Sequence, residues 1–180
     1  MRLLELFDKH APYEWESMMG VQAATFEVEG VPYLVAFMPF EAQFLGDSKS
    51  LISQKYETTM GAMIANYTEG DLVSGNYLIG TGNEFLVFST AIKIFEEFLQ
   101  KEQPEAFAVA ALTAEGRDQT YAKMAKRLAR RMKKSGYTLV DEETMVGTQF
   151  GEMHVFYVLR EDLKEEWLNI QGEALSDTGL

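Results

Sequence analysis

The residues with the clearest chemical potential are Gly80, Thr81, Gly82 and Asn83, which lie between a short apolar run (Tyr77, Leu78, Ile79) and a long helical pattern starting near Glu84. A helix N-terminus carries unpaired N–H groups and the positive end of the helix dipole, so a glycine turn feeding it can hold an anion such as a phosphate. The same four residues also suit a plain strand-to-helix turn, with a glycine at positive φ and Asn83 as N-cap. Both readings stand at this level. A second feature is electrostatic. The chain has 16 Lys and Arg against 28 Asp and Glu, a net charge of −12, yet half of the basic residues fall within 117–134. Lys123, Lys126, Arg127, Arg130, Arg131, Lys133 and Lys134 crowd one helical stretch. They suit a solvated face, one paired with the acidic C-terminal residues Glu161, Asp162, Glu165 and Glu166, a surface for a protein partner, or one for the phosphates of a nucleic acid or CoA.

Other chemistries find little material. Without cysteine there is no disulfide, thiolate nucleophile or cysteine zinc site. His10 and His154 are the only histidines and show no ligand spacing, so no metal site is expected. No Gly-x-Ser-x-Gly occurs, and the many carboxylates follow solvent-facing patterns. A net charge of −12 repels nucleic acid, whose phosphates require Lys and Arg, so nucleic acid is not expected as a partner. The first residues lack a signal-peptide apolar core, and no apolar run approaches the roughly 20 residues of a membrane span. A cytoplasmic protein with no membrane association is the expectation.

The elements that must position these residues follow from periodicity. Residues 1–9 read as a short helix (Leu3, Leu4, Phe7) and 13–19 as a brief turn ending at Gly20. Residues 24–28 and 31–38, rich in β-branched and aromatic side chains around Glu29-Gly30, read as a hairpin. Pro32 suggests that its second strand starts at an edge or just outside the ladder. Residues 39–54 read as a long loop, and 56–67 and 72–79 as strands. Phe85, Phe88, Ile92, Phe95 and Leu99 give 84–100 a helical stripe, and 107–112 is a short buried strand. Tyr121, Met124, Ala125, Leu128 and Met132 mark a helix over 119–134, with Gly136 as its C-cap. Strands at 137–140 and 154–160 follow, joined by an acidic link. Leu163, Trp167 and Ile170 share one face of a C-terminal helix, with the last ten residues as a tail. Trp15 and Trp167 default to packing, with an interface role as the alternative. The order predicts an α/β (α+β) fold with a mixed, mostly antiparallel sheet and one parallel strand–helix–strand crossover. A single domain over 1–160, with a helix and tail over 161–180, is expected.

The glycine turn, the helix after it, Tyr121 early in the next helix and the Gly136-Tyr137 pair together resemble the GNAT superfamily of N-acetyltransferases. The resemblance covers roughly residues 24–160. It implies a GNAT-like fold in which Gly80, Thr81, Gly82 and Asn83 hold the pyrophosphate of acetyl-CoA and Tyr121 protonates the departing thiolate. Tyr77 stands where the family's turn opens with Gln or Arg, Glu84 lies in the first helical turn, and Ala114 replaces an asparagine. These departures make the resemblance one to a degenerate member. The stretches 80–90 and 116–121 are also similar to a group of small uncharacterised tailed-phage proteins. The implied function is a phage-encoded GNAT-like protein without cofactor that binds a protein partner, as a virion component or a modulator of a host factor. Arg127, Arg130, Arg131, Lys134 and Trp167 are its candidate contact residues. The alternative is an acyl-CoA-dependent N-acetyltransferase using acetyl-CoA. A phage-encoded protein would reside in the host cytoplasm or the virion.

Overall fold

Glu29 and Gly30 both take positive φ, 50° and 77°, and close a tight hairpin between β2 (Val21–Val28) and β3 (Val31–Pro39). Two positive-φ central residues give a turn whose twist matches that of the flanking strands. Val28 pairs with Val31, so the next position on β3, Pro32, directs its missing N–H away from β2. On β3's other side the ladder to β4 (Thr58–Ala65) starts only at Tyr33↔Ala65. Proline thus sits just outside that ladder, as its lack of a donor requires.

The computed structural model describes residues 9–18, 21–40, 50–65, 84–113, 120–148 and 151–177. The remaining elements are β1 (Tyr13–Met18), α1 (Leu51–Lys55), α2 (Glu84–Glu102), β5 (Ala106–Thr113), α3 (Thr120–Arg131), β6 (Tyr137–Thr148), β7 (Gly151–Arg160) and α4 (Lys164–Asp177). Seven strands form one sheet in the order β1-β2-β3-β4-β5-β7-β6, antiparallel throughout except for the β4–β5 pair. This is the mixed α/β sheet with a single parallel crossover, β4–α2–β5, that the sequence pattern implied. The helix predicted for 1–9 and the strand predicted for 72–79 fall outside the described residues, apart from Lys9, which is not helical.

The sheet separates two cores. On one face, Phe37, Phe95, Phe98 and Phe107 pack together beneath α2, with the Phe37 and Phe98 rings stacked at 3.9 Å. Leu128, Ala129 and Met132 bring α3 and the turn after it onto the same face. On the other face Ile52, Tyr56, Met60, Tyr157, Leu159 and Trp167 form the second core. Neighbouring residues of β5 divide accordingly, Phe107 and Val109 to the first core and Ala106 and Ala108 to the second. This is the period-2 alternation of a strand buried on both sides.

Several expectations are corrected. Residues 13–18 are an edge strand instead of a turn, because Tyr13 and Trp15 alternate with Glu14 and Glu16 and pair along β2. The predicted loop over 39–54 opens on Pro39, the last residue of β3, and runs into α1, capped by the Ser50 side chain accepting from the Ile52 N–H at 3.3 Å; its residues 41–49 lie outside the described ones. The acidic link after 140 is mostly strand. Its carboxylates stand on an edge strand paired with β7, with register shifts between Leu139 and Asp141 and between Met145 and Thr148. Phe85, placed on the helical stripe, is 58% exposed; the buried run begins at Val87. The C-terminal helix continues to Asp177, through most of the predicted tail. Gly136 does close the preceding helical segment, at φ 85° in the left-handed region.

Candidate functional site

The parallel pairing of β4 with β5 is brief. It runs from Thr58↔Ala106 to Gly61↔Val109 and stops, although β4 continues to Ala65 and β5 to Thr113. Beyond Gly61 each strand keeps its outer neighbour: β4 pairs with β3 as far as Ala65, and β5 with β7 as far as Thr113. The two halves of the sheet therefore part at the C-terminal ends of the parallel strands. In open α/β sheets that is where a crevice for a ligand forms.

In sequence, the candidates precede or open the two helices that follow these strands. The chain leaves β4 and re-enters as α2 at Glu84, directly after Gly80, Thr81, Gly82 and Asn83. It leaves β5 and re-enters as α3, of which Tyr121 is the second residue. Gly80, Thr81, Gly82 and Asn83 themselves lie outside the described residues, as does the side chain of Tyr121.

Gly61, which the sequence reading did not single out, makes the joint possible. A Cβ there would lie 2.5 Å from Phe107 Cζ and 2.6 Å from Phe95 Cε1. Both rings are buried, so only a residue without a side chain lets α2 settle over the last paired position. Ser89 and Thr90 on α2 have a structural task. Thr90 Oγ1 accepts from the Ala11 N–H at 2.8 Å and donates to the Leu86 carbonyl at 2.6 Å, while Ser89 donates to the Lys9 carbonyl. Two buried hydroxyls thereby fix the segment leading into β1. Helical hydroxyls that bond outward in this way leave no sequence signal beyond their position on the buried stripe.

The cationic helix resolves into two groups. Lys126 Nζ meets Glu142 at 2.8 Å, and Arg131 Nε meets Glu96 at 3.5 Å. Lys123, Arg127, Arg130 and Lys134 are exposed, spaced at helical intervals, and enter none of the salt bridges among the described residues. No salt bridge among the described residues joins this row to the acidic C-terminal segment; α3 packs with the first core, whereas Trp167 carries α4 into the second. Asp162 instead grips Arg160 through both carboxylate oxygens, at 2.7 and 3.2 Å. That bond holds the Asp162 carboxyl below its usual range and raises the guanidinium. Trp167 is 3% exposed and lies against Tyr56 with ring centroids 6.3 Å apart, so its side chain belongs to the core.

No family model and no curated protein sequence matches the chain. A solved structure, RimL, a ribosomal L7/L12 alpha-N-protein acetyltransferase in complex with coenzyme A, is similar to it with a TM-score of 0.37 and 8% identity. The match covers 78% of this chain and 63% of that one, so the chain spans less than two thirds of its length. Among the described residues no helix is long and apolar enough to cross a membrane.

Proposed function

We propose that this chain is a GNAT-like scaffold that works by binding a protein partner, with Lys123, Arg127 and Arg130 of α3 and Lys134 of the turn after it as the contact row for an acidic segment. One observation carries the reading: the row is exposed and outside the described ion pairs, whereas its neighbours Lys126 and Arg131 are engaged. Four cations at helical spacing on a chain of net charge −12 concentrate positive potential where the rest of the surface is acidic. A phage setting, as virion component or host-factor modulator, rests on the sequence resemblance alone. The test is capture by the tagged chain against the charge reversal R127E/R130E/K134E, followed by calorimetry with each purified protein captured. Loss of one acidic partner in the variant supports the reading; identical capture sets sink it.

The parting of β4 and β5 favours a second reading, an acyl-CoA-dependent N-acetyltransferase. Strand backbones that separate at their C-terminal ends leave N–H and C=O groups facing the gap, which suits an extended ligand with amide bonds. Acetyl-CoA would supply the acyl group. Gly80, Thr81, Gly82 and Asn83 would hold its pyrophosphate, and Tyr121 would give a proton to the leaving thiolate. Calorimetry with acetyl-CoA decides it: saturable binding abolished by Gly82→Trp supports the enzyme, and no heat of binding removes it.

A further inference from the structure

Among the described residues β1 is the terminal strand of the sheet and pairs only with β2. Because antiparallel ladders alternate, every second residue of β1 directs its N–H and C=O away from β2. Such an edge is a template for another strand, and its side chains select which one. Glu14 and Glu16 are exposed and lie on one face of β1; Tyr13, Trp15 and Ser17 lie on the other.

On that second face stands a carboxylate held in place. The Tyr13 hydroxyl donates to Oε2 of Glu97, and the Trp15 Nε1–H donates to Oε1 at 3.0 Å. Glu97 belongs to α2 and is itself exposed. The Tyr13 and Trp15 rings stand nearly perpendicular, at 82° with centroids 6.4 Å apart, and Trp15 stacks on Phe37 at 5.8 Å. Trp15 is nonetheless 37% exposed, the one tryptophan of the chain with a substantial open surface. An anchored carboxylate beside an open indole is the pairing that attracts an ammonium or guanidinium group, through a charge-assisted hydrogen bond and a cation–π contact.

We propose that the outer edge of β1 takes an extended, Lys/Arg-rich segment of a partner protein as an additional strand, with one cationic side chain reaching Glu97 across Trp15 and others meeting Glu14 and Glu16. Charge decides the occupant. A second copy paired antiparallel through β1 would bring Glu14 and Glu16 against their counterparts, and like charges placed opposite one another destabilise a strand pair. Two copies also carry −12 each. A basic segment meets attraction on both faces of the strand and from the chain as a whole. The surface is separate from the α3 row and opposite to it in sign.

The test uses the full chain and a fluorescein-labelled peptide that alternates Lys with Val and Thr, followed by anisotropy at physiological ionic strength. A control peptide of equal charge has proline at the alternate positions, so it cannot form a ladder. Saturable binding is expected, weakened at least about fivefold by E14Q/E16Q/E97Q and by the proline peptide, and not weakened by R127E/R130E/K134E. Equal binding of the proline peptide would mean unspecific attraction and overturn the proposal. So would an unchanged affinity in the triple variant, or no saturable binding. E14Q/E16Q, whose side chains are exposed, keeps the test decisive if loss of the Glu97 clip lowers stability: an undiminished affinity in that variant also overturns it.

Discussion

Replacing Gly61 by alanine perturbs the joint at which β4 and β5 part, and the structure gives the cost. Alanine in a strand is ordinarily better than glycine, by about 0.5–1 kcal/mol, because it loses less backbone freedom on folding. At Gly61 the added methyl would stand 2.5 Å from Phe107 Cζ and 2.6 Å from Phe95 Cε1. Ordinary carbon contacts begin near 3.5 Å, so each ring would have to retreat by roughly 1 Å. Neither has space. Phe107 is 0% and Phe95 2% exposed, and they meet each other edge to face at 5.6 Å. Phe37 and Phe98 close the same cluster. Overpacking of this type costs about 1–3 kcal/mol and outweighs the backbone gain.

Urea unfolding followed by tryptophan fluorescence reads the effect. For an m-value of about 2–3 kcal/mol per M, the midpoint should fall by roughly 0.5–1 M with the slope unchanged. Phe107→Leu shortens the obstructing ring, and G61A/F107L should therefore be less destabilised than the sum of the single changes, with a coupling of about 1 kcal/mol or more. If Gly61→Ala leaves the midpoint in place or raises it, the aromatic cluster yields freely, and Gly61 is not what seats α2 over the joint.

Other consequences are equally specific. Thr90→Val keeps the shape of the side chain but strips the Ala11 N–H of its buried acceptor, so stability should fall by about 1–3 kcal/mol and the Ala11 amide should lose protection in hydrogen exchange. Burial pushes the phenols of Tyr13 and Tyr137 up to about 12, with the Glu97 hydrogen bond and charge adding to the shift of Tyr13. Folding favours the protonated phenol, so this stability is full below pH 10 and is lost as pH rises through 10 to 12. Urea midpoints between pH 8.5 and 11.5 should decline, and less steeply in Tyr137→Phe, which also gives up the bond to the Pro104 carbonyl at 2.6 Å. Among the described residues no group lies within hydrogen-bond geometry of the buried Tyr56 hydroxyl, and burial together with the nearby Glu166 carboxylate raises its pKa. Tyr56→Phe should accordingly raise stability by about 1 kcal/mol; a fall would show that Glu166 bonds to it.

Much of this architecture was legible because long elements advertise their period. The stripe Phe88, Ile92, Phe95, Leu99 placed α2 correctly, and Gly30, the residue type that tolerates positive φ, announced the hairpin between two β-rich runs. Elements at the sheet's margins were harder. In β1 the solvent face carries Glu14 and Glu16, and in β6 Glu142 is exposed while its neighbour Glu143 accepts from the Tyr157 hydroxyl, so these stretches read as turn or link although they are strands. The brevity of the β4–β5 ladder had no local signature at all. It depends on two strands distant in sequence and on Gly61, whose missing side chain matters only once Phe95 and Phe107 arrive from elsewhere in the chain. The pairing of Tyr13 and Trp15 with Glu97 was invisible for the same reason, since it spans more than 80 positions.

Sequence order groups the charges in blocks, and the sheet then sorts them in space. The basic row of α3 and the acidic start of α4 lie close enough in sequence to suggest a mutual pairing, yet β6 and β7 carry the chain from one face to the other between them. Among the described residues no salt bridge joins the two, and the charges that do pair find partners elsewhere. Lys126 and Arg131 do so locally, at Glu142 and Glu96, and Arg160 does so at Asp162. At the surface stand a row of cations on α3 and the turn after it and a set of glutamates on β1, with opposite demands on a partner. An acidic segment approaching α3 moves against the field of the whole chain and gains attraction only within a Debye length, about 8 Å at physiological ionic strength. A basic segment approaching β1 is drawn in by both the local groups and the net charge. The β1 edge therefore suits fast, salt-sensitive capture, and the α3 row suits contacts whose specificity is set at short range.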